Sequence, residues 1–279
     1  MKIAVLSGKG GTGKTMLSVN LASVSEPSVY ADCDVEEPNG YLYFKPENVV
    51  SENVFVPVPK YDQKKCDGCM KCVEFCRFNA LAFSLDRLMI FENMCHSCGG
   101  CEIICPRDAI TEHERNVGVV EMGRSGNVSV LTGKMNVGEA AGIPVIKKLL
   151  SKIPKCDNIF IDCPPGSSCS VMESIEDADF CILISEPTIF GRHNLAMVAD
   201  LVQLFNKSFG VVLNKDIEGE ANPSEEYCLE NNLPILGRIP FDSELGALCS
   251  EAKIASRENK KFHKMFKNIL DKITEVTTK

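Results

Sequence analysis

Apolar residues in this chain come in short continuous runs, most of which end on a polar or acidic residue. Ile3-Ala4-Val5-Leu6, Ser28-Val29-Tyr30-Ala31, Asn158-Ile159-Phe160-Ile161, Phe180-Cys181-Ile182-Leu183-Ile184 and Phe209-Gly210-Val211-Val212-Leu213 show no polar–apolar alternation. Runs of this kind are strands buried on both faces. Ile235-Leu236-Gly237-Arg238-Ile239 is the last of the series. Between the runs the spacing turns helical, with Leu17, Leu21 and Val24 after the first, then Glu139 to Ser151 and Ile189 to Phe205. Strand alternating with helix predicts an α/β fold, a mostly parallel sheet with helices on both faces. Sites in such sheets gather at the C-terminal ends of the strands, where Asp32, Asp162, Ser185 and Asn214 stand. Phe262, Met265, Phe266, Ile269, Leu270 and Ile273 form a helical stripe among lysines. That helix is predicted to close over the sheet rather than lie on a membrane surface.

Two stretches break this rhythm. Val117–Glu121 and Val128–Leu131 read as a hairpin across Arg124-Ser125-Gly126-Asn127. Val54 to Pro59 is extended and punctuated by proline, which predicts a linker leaving the sheet. From Lys60 to about Arg115 the composition shifts to dense cysteine and short loops, which predicts an insertion. The predicted organisation is residues 1–59, an inserted domain over 60–115, and a return to the first domain over 116–279.

The turn after the first strand reads Gly8-Lys9-Gly10-Gly11-Thr12-Gly13-Lys14-Thr15 and leads into a helix. It fits the phosphate-loop pattern G-x-x-x-x-G-K-[ST], in the strand–turn–helix context that pattern requires. Glycines let backbone N–H groups crowd around phosphate oxygens, and the helix N-terminus adds its positive dipole end. Lys14 is placed to reach the terminal phosphates and the Thr15 hydroxyl to hold Mg²⁺.

Charge and composition narrow the partners. The net charge of −8 argues against nucleic acid or an anionic membrane, since both need a basic face. No apolar run reaches membrane-spanning length. The first strand begins at once and leaves no room for a signal peptide, so the expected compartment is the cytoplasm.

Fifteen cysteines stand out, eight of them between Cys66 and Cys105. In a cytoplasmic protein such clustering points to metal rather than disulfides. Cys66, Cys69, Cys72 and Cys76 are followed by Cys95, Cys98, Cys101 and Cys105-Pro106. Both runs have the C-x2-C-x2-C-x3-C spacing of bacterial ferredoxins, in which the fourth cysteine serves the other cluster. Cys66, Cys69, Cys72 and Cys105 are therefore assigned to one [4Fe–4S] cluster. Cys95, Cys98, Cys101 and Cys76 are assigned to the second. Structural zinc prefers paired C-x2-C or Cys/His spacing and fits less well. The segment resembles a two-cluster α+β ferredoxin domain. Phe78-Asn79-Ala80-Leu81 and Arg107-Asp108-Ala109-Ile110 stand where such domains keep short pseudo-symmetric helices, and Arg77 replaces the usual proline of the first run. His96, His113, His193 and His263 are isolated and read as surface residues.

With Lys9 included, the loop is similar to the K-G-G-x-G-K-[ST] deviant phosphate loop of the MinD/ParA/Mrp ATPases, relatives of the nitrogenase iron protein. Asp32-Cys33-Asp34 resembles the family's D-x-D after strand two, and Asp162-Cys163-Pro164-Pro165-Gly166 its Walker B strand and switch II. Asn214 matches its adenine-reading asparagine. Ile239-Pro240-Phe241-Asp242 matches the loop that covers the base. The resemblance implies an ATP- and Mg²⁺-binding ATPase in which Lys9 crosses a dimer interface to the partner's phosphates. Thr15 would bind Mg²⁺ directly and Asp162 through water, while Asp34, with Asp32 beside it, positions the attacking water. The implied partners are a second copy or a paralogue when ATP is bound, and an unidentified redox or acceptor protein. Three functions follow from it: ATP-coupled electron transfer through the clusters, cluster assembly, or a positioning switch. The cluster-carrying relatives use a C-terminal C-x2-C, and none follows Cys105 here. Cys169, seven residues after Asp162, stands where the nitrogenase iron protein keeps a cluster ligand, but no second ligand for a bridging cluster is identifiable.

Overall fold

The computed structural model describes residues 1–277. The chain opens with β1 (Lys2–Leu6), α1 (Lys14–Val24), β2 (Ser28–Asp32), α2 (Gly40–Phe44) and the long β3 (Glu47–Tyr61). The inserted segment holds α3 (Lys71–Phe75), β4 (Leu81–Ser84), β5 (Arg87–Ile90) and α4 (Gly100–Ile103). The chain returns through β6 (Ile110–Ser125), β7 (Val128–Met135), α5 (Ile143–Ser151), β8 (Ile159–Asp162) and α6 (Cys169–Ile175). It ends with β9 (Phe180–Ser185), α7 (Ile189–Leu204), β10 (Ser208–Asp216), α8 (Pro223–Glu230), β11 (Ile235–Pro240), α9 (Ser243–Ser250), α10 (Ala255–Glu258) and α11 (Lys260–Thr277).

Nine strands form one sheet in the order β11-β10-β9-β1-β8-β2-β7-β6-β3. From β11 to β7 every neighbouring pair is parallel, and β7, β6 and β3 continue it as antiparallel neighbours. The apolar runs are the central strands, and their period of two sorts them into two cores. Ile3, Val5, Tyr30, Phe160, Ile182 and Val212 face one helical layer. Ala4, Leu6, Ala31, Ile161, Leu183 and Leu213 face the other. Phe262, Phe266, Ile269, Leu270 and Ile273 of α11 are buried in the first of these cores. Each such burial contributes about 1.5–3 kcal/mol, so the stripe of α11 is spent on the sheet. Among the described residues no helix is long and apolar enough to cross a membrane.

Val54 to Pro59 is not a linker but the second half of β3, paired residue by residue with β6. Proline misled the expectation because it removes a ladder donor, yet β3 is the edge of the sheet, where that loss is tolerated. The hairpin of β6 and β7 forms as expected across Gly126, which has φ +61°. The ribbon of β3 and β6 carries the inserted segment at its far end, between Tyr61 and Ile110. That segment buries only a small core of Leu81, Leu88, Cys101 and Ile110. The short helices lie inside the cysteine runs, at α3 and α4, and not at 78–81 and 107–110. Those two stretches are matching turns: Asn79 and Asp108 take φ of +53° and +46°, and Ala80 and Ala109 after them are both buried. Asn and Asp tolerate this left-handed geometry, which a continuing helix does not use.

Candidate functional site

The loop between β1 and α1 sits at the C-terminal edge of the sheet, held by several short bonds. Gly166 N–H donates to the Ser7 carbonyl at 2.9 Å, and the Ser7 hydroxyl donates to the Lys9 carbonyl at 2.7 Å. Asn214 Nδ2 donates to the Thr12 carbonyl at 2.7 Å. Gly13 has φ +96°, and a Cβ there would stand 2.5 Å from Asn214 Nδ2. Gly8 lies so close to α7 that a Cβ would meet the Asn194 carbonyl at 2.5 Å. The loop therefore needs glycine both for its turn and for its packing.

Beside it lies a cavity of about 600 Å³, within the range of small-molecule sites. Gly10, Gly11, Gly13, Lys14 and Thr15 form one wall, Asp34 lies across from them, and Asn214, Pro240, Phe241 and Asp242 form the far end. Phe241, in the stretch matched to the base-covering loop, is largely exposed and offers a flat apolar face. Asp242 itself caps α9, accepting from Glu244 and Leu245 N–H, and pairs with Lys261 at 2.5 Å.

β2 and β8 are neighbours, with Asp32 and Asp162 directly in register. Asp32 is fully buried and turned into its own loop. Its Oδ2 accepts from Asn39 and Gly40 N–H at 3.1 and 2.9 Å, and Oδ1 from Asp34 N–H at 3.2 Å. This carboxylate holds the 32–40 loop in shape rather than facing the cavity. Asp162 accepts from the Tyr30 hydroxyl on Oδ2, while Oδ1 is buried with no hydrogen-bond partner. Burial raises its pKa, and Lys14 and the Thr15 hydroxyl oppose that rise. Burial also raises Asp32, with the Asp162 charge adding to it. Asp34 is pushed up to about 6 by burial, against the pull of Lys14. An open carboxylate oxygen behind Lys14 and Thr15 suits a hydrated divalent cation.

Lys9 is half-exposed and turned back onto its own chain, where it pairs with Glu186 at the end of β9. Ser185, at the same edge, bonds the Gly191 carbonyl and the Ser224 hydroxyl and so belongs to the fold. Tyr30, Gly40 and Glu186 were not singled out from the sequence. Glu186 was the most findable, as the first charge after a long apolar strand.

In the inserted segment, Cys76, Cys95, Cys98 and Cys101 line a cavity of about 320 Å³, together with Phe78 and His96. The rings of Phe78 and His96 stack there, 3.8 Å apart. Cys66, Cys69, Cys72 and Cys105 line a second cavity of about 20 Å³. Each cavity combines three cysteines of one run with the fourth of the other. All fifteen cysteines are free thiols. Among the described residues, no group of three or more His, Cys, Asp or Glu is set to hold a single metal ion. The donor type and the enclosed, mainly apolar surroundings of the larger cavity fit a [4Fe–4S] cluster. The smaller one holds no more than a water or so and would have to open. Burial raises the Cys72 and Cys95 thiols and pushes Cys101 up to about 11, so these thiols would have to give up protons to ligate a metal. Cys95 also packs against the main core, and Arg115 on β6 forms a two-pronged pair with Glu139 in the loop after β7. His113, expected at the surface, lies 3.4 Å from Glu92, with Nδ1 buried and unpartnered. Cys169 is exposed at the start of α6.

The CobQ/CobB/MinD/ParA nucleotide binding domain model matches residues 3–254. Uncharacterized protein MJ0579 of Methanocaldococcus jannaschii is 30% identical over 223 residues, covering 77% of this chain and 80% of that protein. Uncharacterized protein MJ0578 of the same organism is 29% identical over 282 residues, covering 99% and 97%. Among solved structures, the septum site-determining protein MinD of Pyrococcus horikoshii, complexed with Mg-ADP, superposes with a TM-score of 0.59 at 20% identity, covering 99% of this chain and 98% of that one. At that identity the likeness concerns the fold.

Proposed function

Because this chain belongs to the CobQ/CobB/MinD/ParA nucleotide-binding family, we propose that it binds and hydrolyses ATP and closes as a dimer when it does so. The carrying observation is the meeting of Lys14, Thr15 and Asp34 around one cavity, with the buried, unpartnered oxygen of Asp162 behind Lys14 and Thr15. In this reading Lys14 neutralises the terminal phosphates. Thr15 binds Mg²⁺, and Asp162 Oδ1 accepts from a water on it. Asp34 orients the attacking water, while Asp32 acts through the loop it shapes. Asn214 fixes the phosphate loop through Thr12 and, with Pro240 and Phe241, bounds the space for the base. Positioning and charge neutralisation supply most of phosphoryl transfer. Equilibrium binding of MgATP, lost in Lys14→Ala, tests the site; unchanged affinity in that variant rules it out.

The inserted segment is proposed to hold two [4Fe–4S] clusters, supported by the interleaved cysteine sets and their cavities. When bound, such clusters supply one-electron transfer. The eight cysteines hold them, and Phe75, Phe78 and His96 shield the larger site from water. The full reading is an ATP-driven switch coupled to electron delivery to a protein partner. A redox titration by electron paramagnetic resonance, with and without MgATP, tests the coupling; no shift in cluster potential counts against it. The MinD likeness favours a second reading, a positioning switch in which the clusters are sensors or staples. Cluster reduction that leaves no partner reduced, while altering ATP turnover, selects that alternative.

A further inference from the structure

Glu186 stands one residue past β9 and is needed by neither the phosphate loop nor the cation site as read above. Its carboxylate serves two lysines at once, with Lys9 Nζ at 2.7 Å from Oε2 and Lys215 Nζ at 2.5 Å from Oε1. The Glu186 side chain is 10% exposed, whereas those of Lys9 and Lys215 are 40% and 47% exposed. The backbone around Glu186 is fixed. Its carbonyl accepts from the Ser224 hydroxyl and from Thr188 N–H, both at 2.8 Å, and a Cβ on Gly191 would stand 2.2 Å from it. The acid stays in place and the lysines come to it. Burial pushes its carboxyl up, but Lys215 and Lys9 outweigh burial and hold it below the usual carboxylate range.

We propose that Glu186 is a positioning residue that retains Lys9 on its own chain until a second copy presents phosphates, and that Lys215 is the counter-ion that stays behind. This rests on the ATP-closed dimer read above. The arrangement explains why one buried acid has two cations. With a single lysine, departure would strand a buried carboxylate, which is costly. With two, Lys9 leaves and the acid remains paired. Lys215 is the better tethered of the pair, since its Nζ also lies 3.4 Å from the Gly11 carbonyl. Releasing Lys9 then breaks only one partly exposed ion pair, a modest threshold that a triphosphate overcomes.

The test measures the MgATP-dependent dimer by sedimentation velocity in an Asp34→Ala background, which slows hydrolysis. Adding Glu186→Gln is expected to tighten the dimer about two- to fivefold, because Lys9 is no longer held. Lys215→Met is expected to loosen it, because Lys9 becomes the sole partner of the acid. MgATP affinity of the monomer should stay at the parent value in Glu186→Gln, which also reports on folding, whereas Lys215 borders the nucleotide cavity and its variant is compared at saturating MgATP. A dimer unchanged or weakened by Glu186→Gln, with monomer affinity intact, overturns the holding role alone. A parent that never dimerises with MgATP overturns both this role and the dimer reading. If Glu186→Gln fails to fold, a Lys215→Met dimer as tight as the parent overturns the proposal.

Discussion

Tyr30 takes one oxygen of Asp162 and leaves the other without a partner. The hydroxyl donates at 2.9 Å to Oδ2, and both residues are buried. One half of the carboxylate thereby belongs to the fold, and the other half is buried without a hydrogen-bond partner. Tyr30→Phe should cost about 1 kcal/mol of stability, the ordinary net worth of a buried hydrogen bond. Its Mg²⁺ dependence of nucleotide binding should persist, whereas Asp162→Asn should lose it. Thermal melts and calorimetric titrations with and without Mg²⁺ check both.

Gly40 should be as intolerant as any glycine of the phosphate loop. A Cβ there would stand 2.1 Å from the Tyr30 hydroxyl oxygen, and its N–H is bonded to Asp32. Gly40→Ala is expected to destabilise by about 1–3 kcal/mol, the usual cost of overpacking, as read by urea denaturation.

Asp34 sets a pH dependence with a definite sign. Its folded-state pKa, about 6, lies above that of an unfolded aspartate. The protonated form is therefore the one folding favours, and that stability is lost as the pH rises through about 6. Asp34→Asn should melt higher than the parent at pH 7.5, with the difference shrinking toward pH 5. ATP turnover of the parent should fall below about pH 6, where Asp34 takes up its proton.

The phosphate loop separates two kinds of loss. Lys14→Ala should weaken MgATP binding about a hundredfold or more, because a paired charge is removed. Gly13→Ala should lose binding through the backbone, given φ +96° and the Asn214 amide 2.5 Å from the new methyl group. Asn214→Ala in the same chain should recover part of it, as isothermal titration would show.

Iron content addresses the inserted segment. Anaerobically reconstituted protein should hold about eight Fe per chain, and about four once Cys101→Ser removes a ligand of the larger cavity. Iron analysis with visible absorption reads both, and protein that takes up no iron refutes the cluster assignment.

What could be read from the sequence was what repeats along it. Continuous runs such as Phe180 to Ile184 announced central strands, and the stripe of α11 announced a buried helix. The loop Gly8 to Thr15 was legible because its chemistry is local. The roles that arise across the chain were not. Tyr30 meets Asp162 from a neighbouring strand, and Glu186 meets Lys9 and Lys215 from two others. Asp32 and Asp34 looked alike in the sequence, yet backbone N–H groups claim the first and leave the second by the cavity.

The prolines of β3 have a consequence for how copies of this chain can meet. Pro57 and Pro59 are two residues apart, so their nitrogens face the same side of the edge strand. Neither can donate, and a strand approaching there would find gaps where a ladder needs N–H groups. Pro57 and Lys60 are exposed, whereas Pro59 is buried beside the inserted segment. The nine-stranded sheet thus ends in a margin that resists being lengthened by another molecule. Association is directed away from edge-to-edge stacking, which protects the outward side of a fifteen-residue edge strand from aggregation.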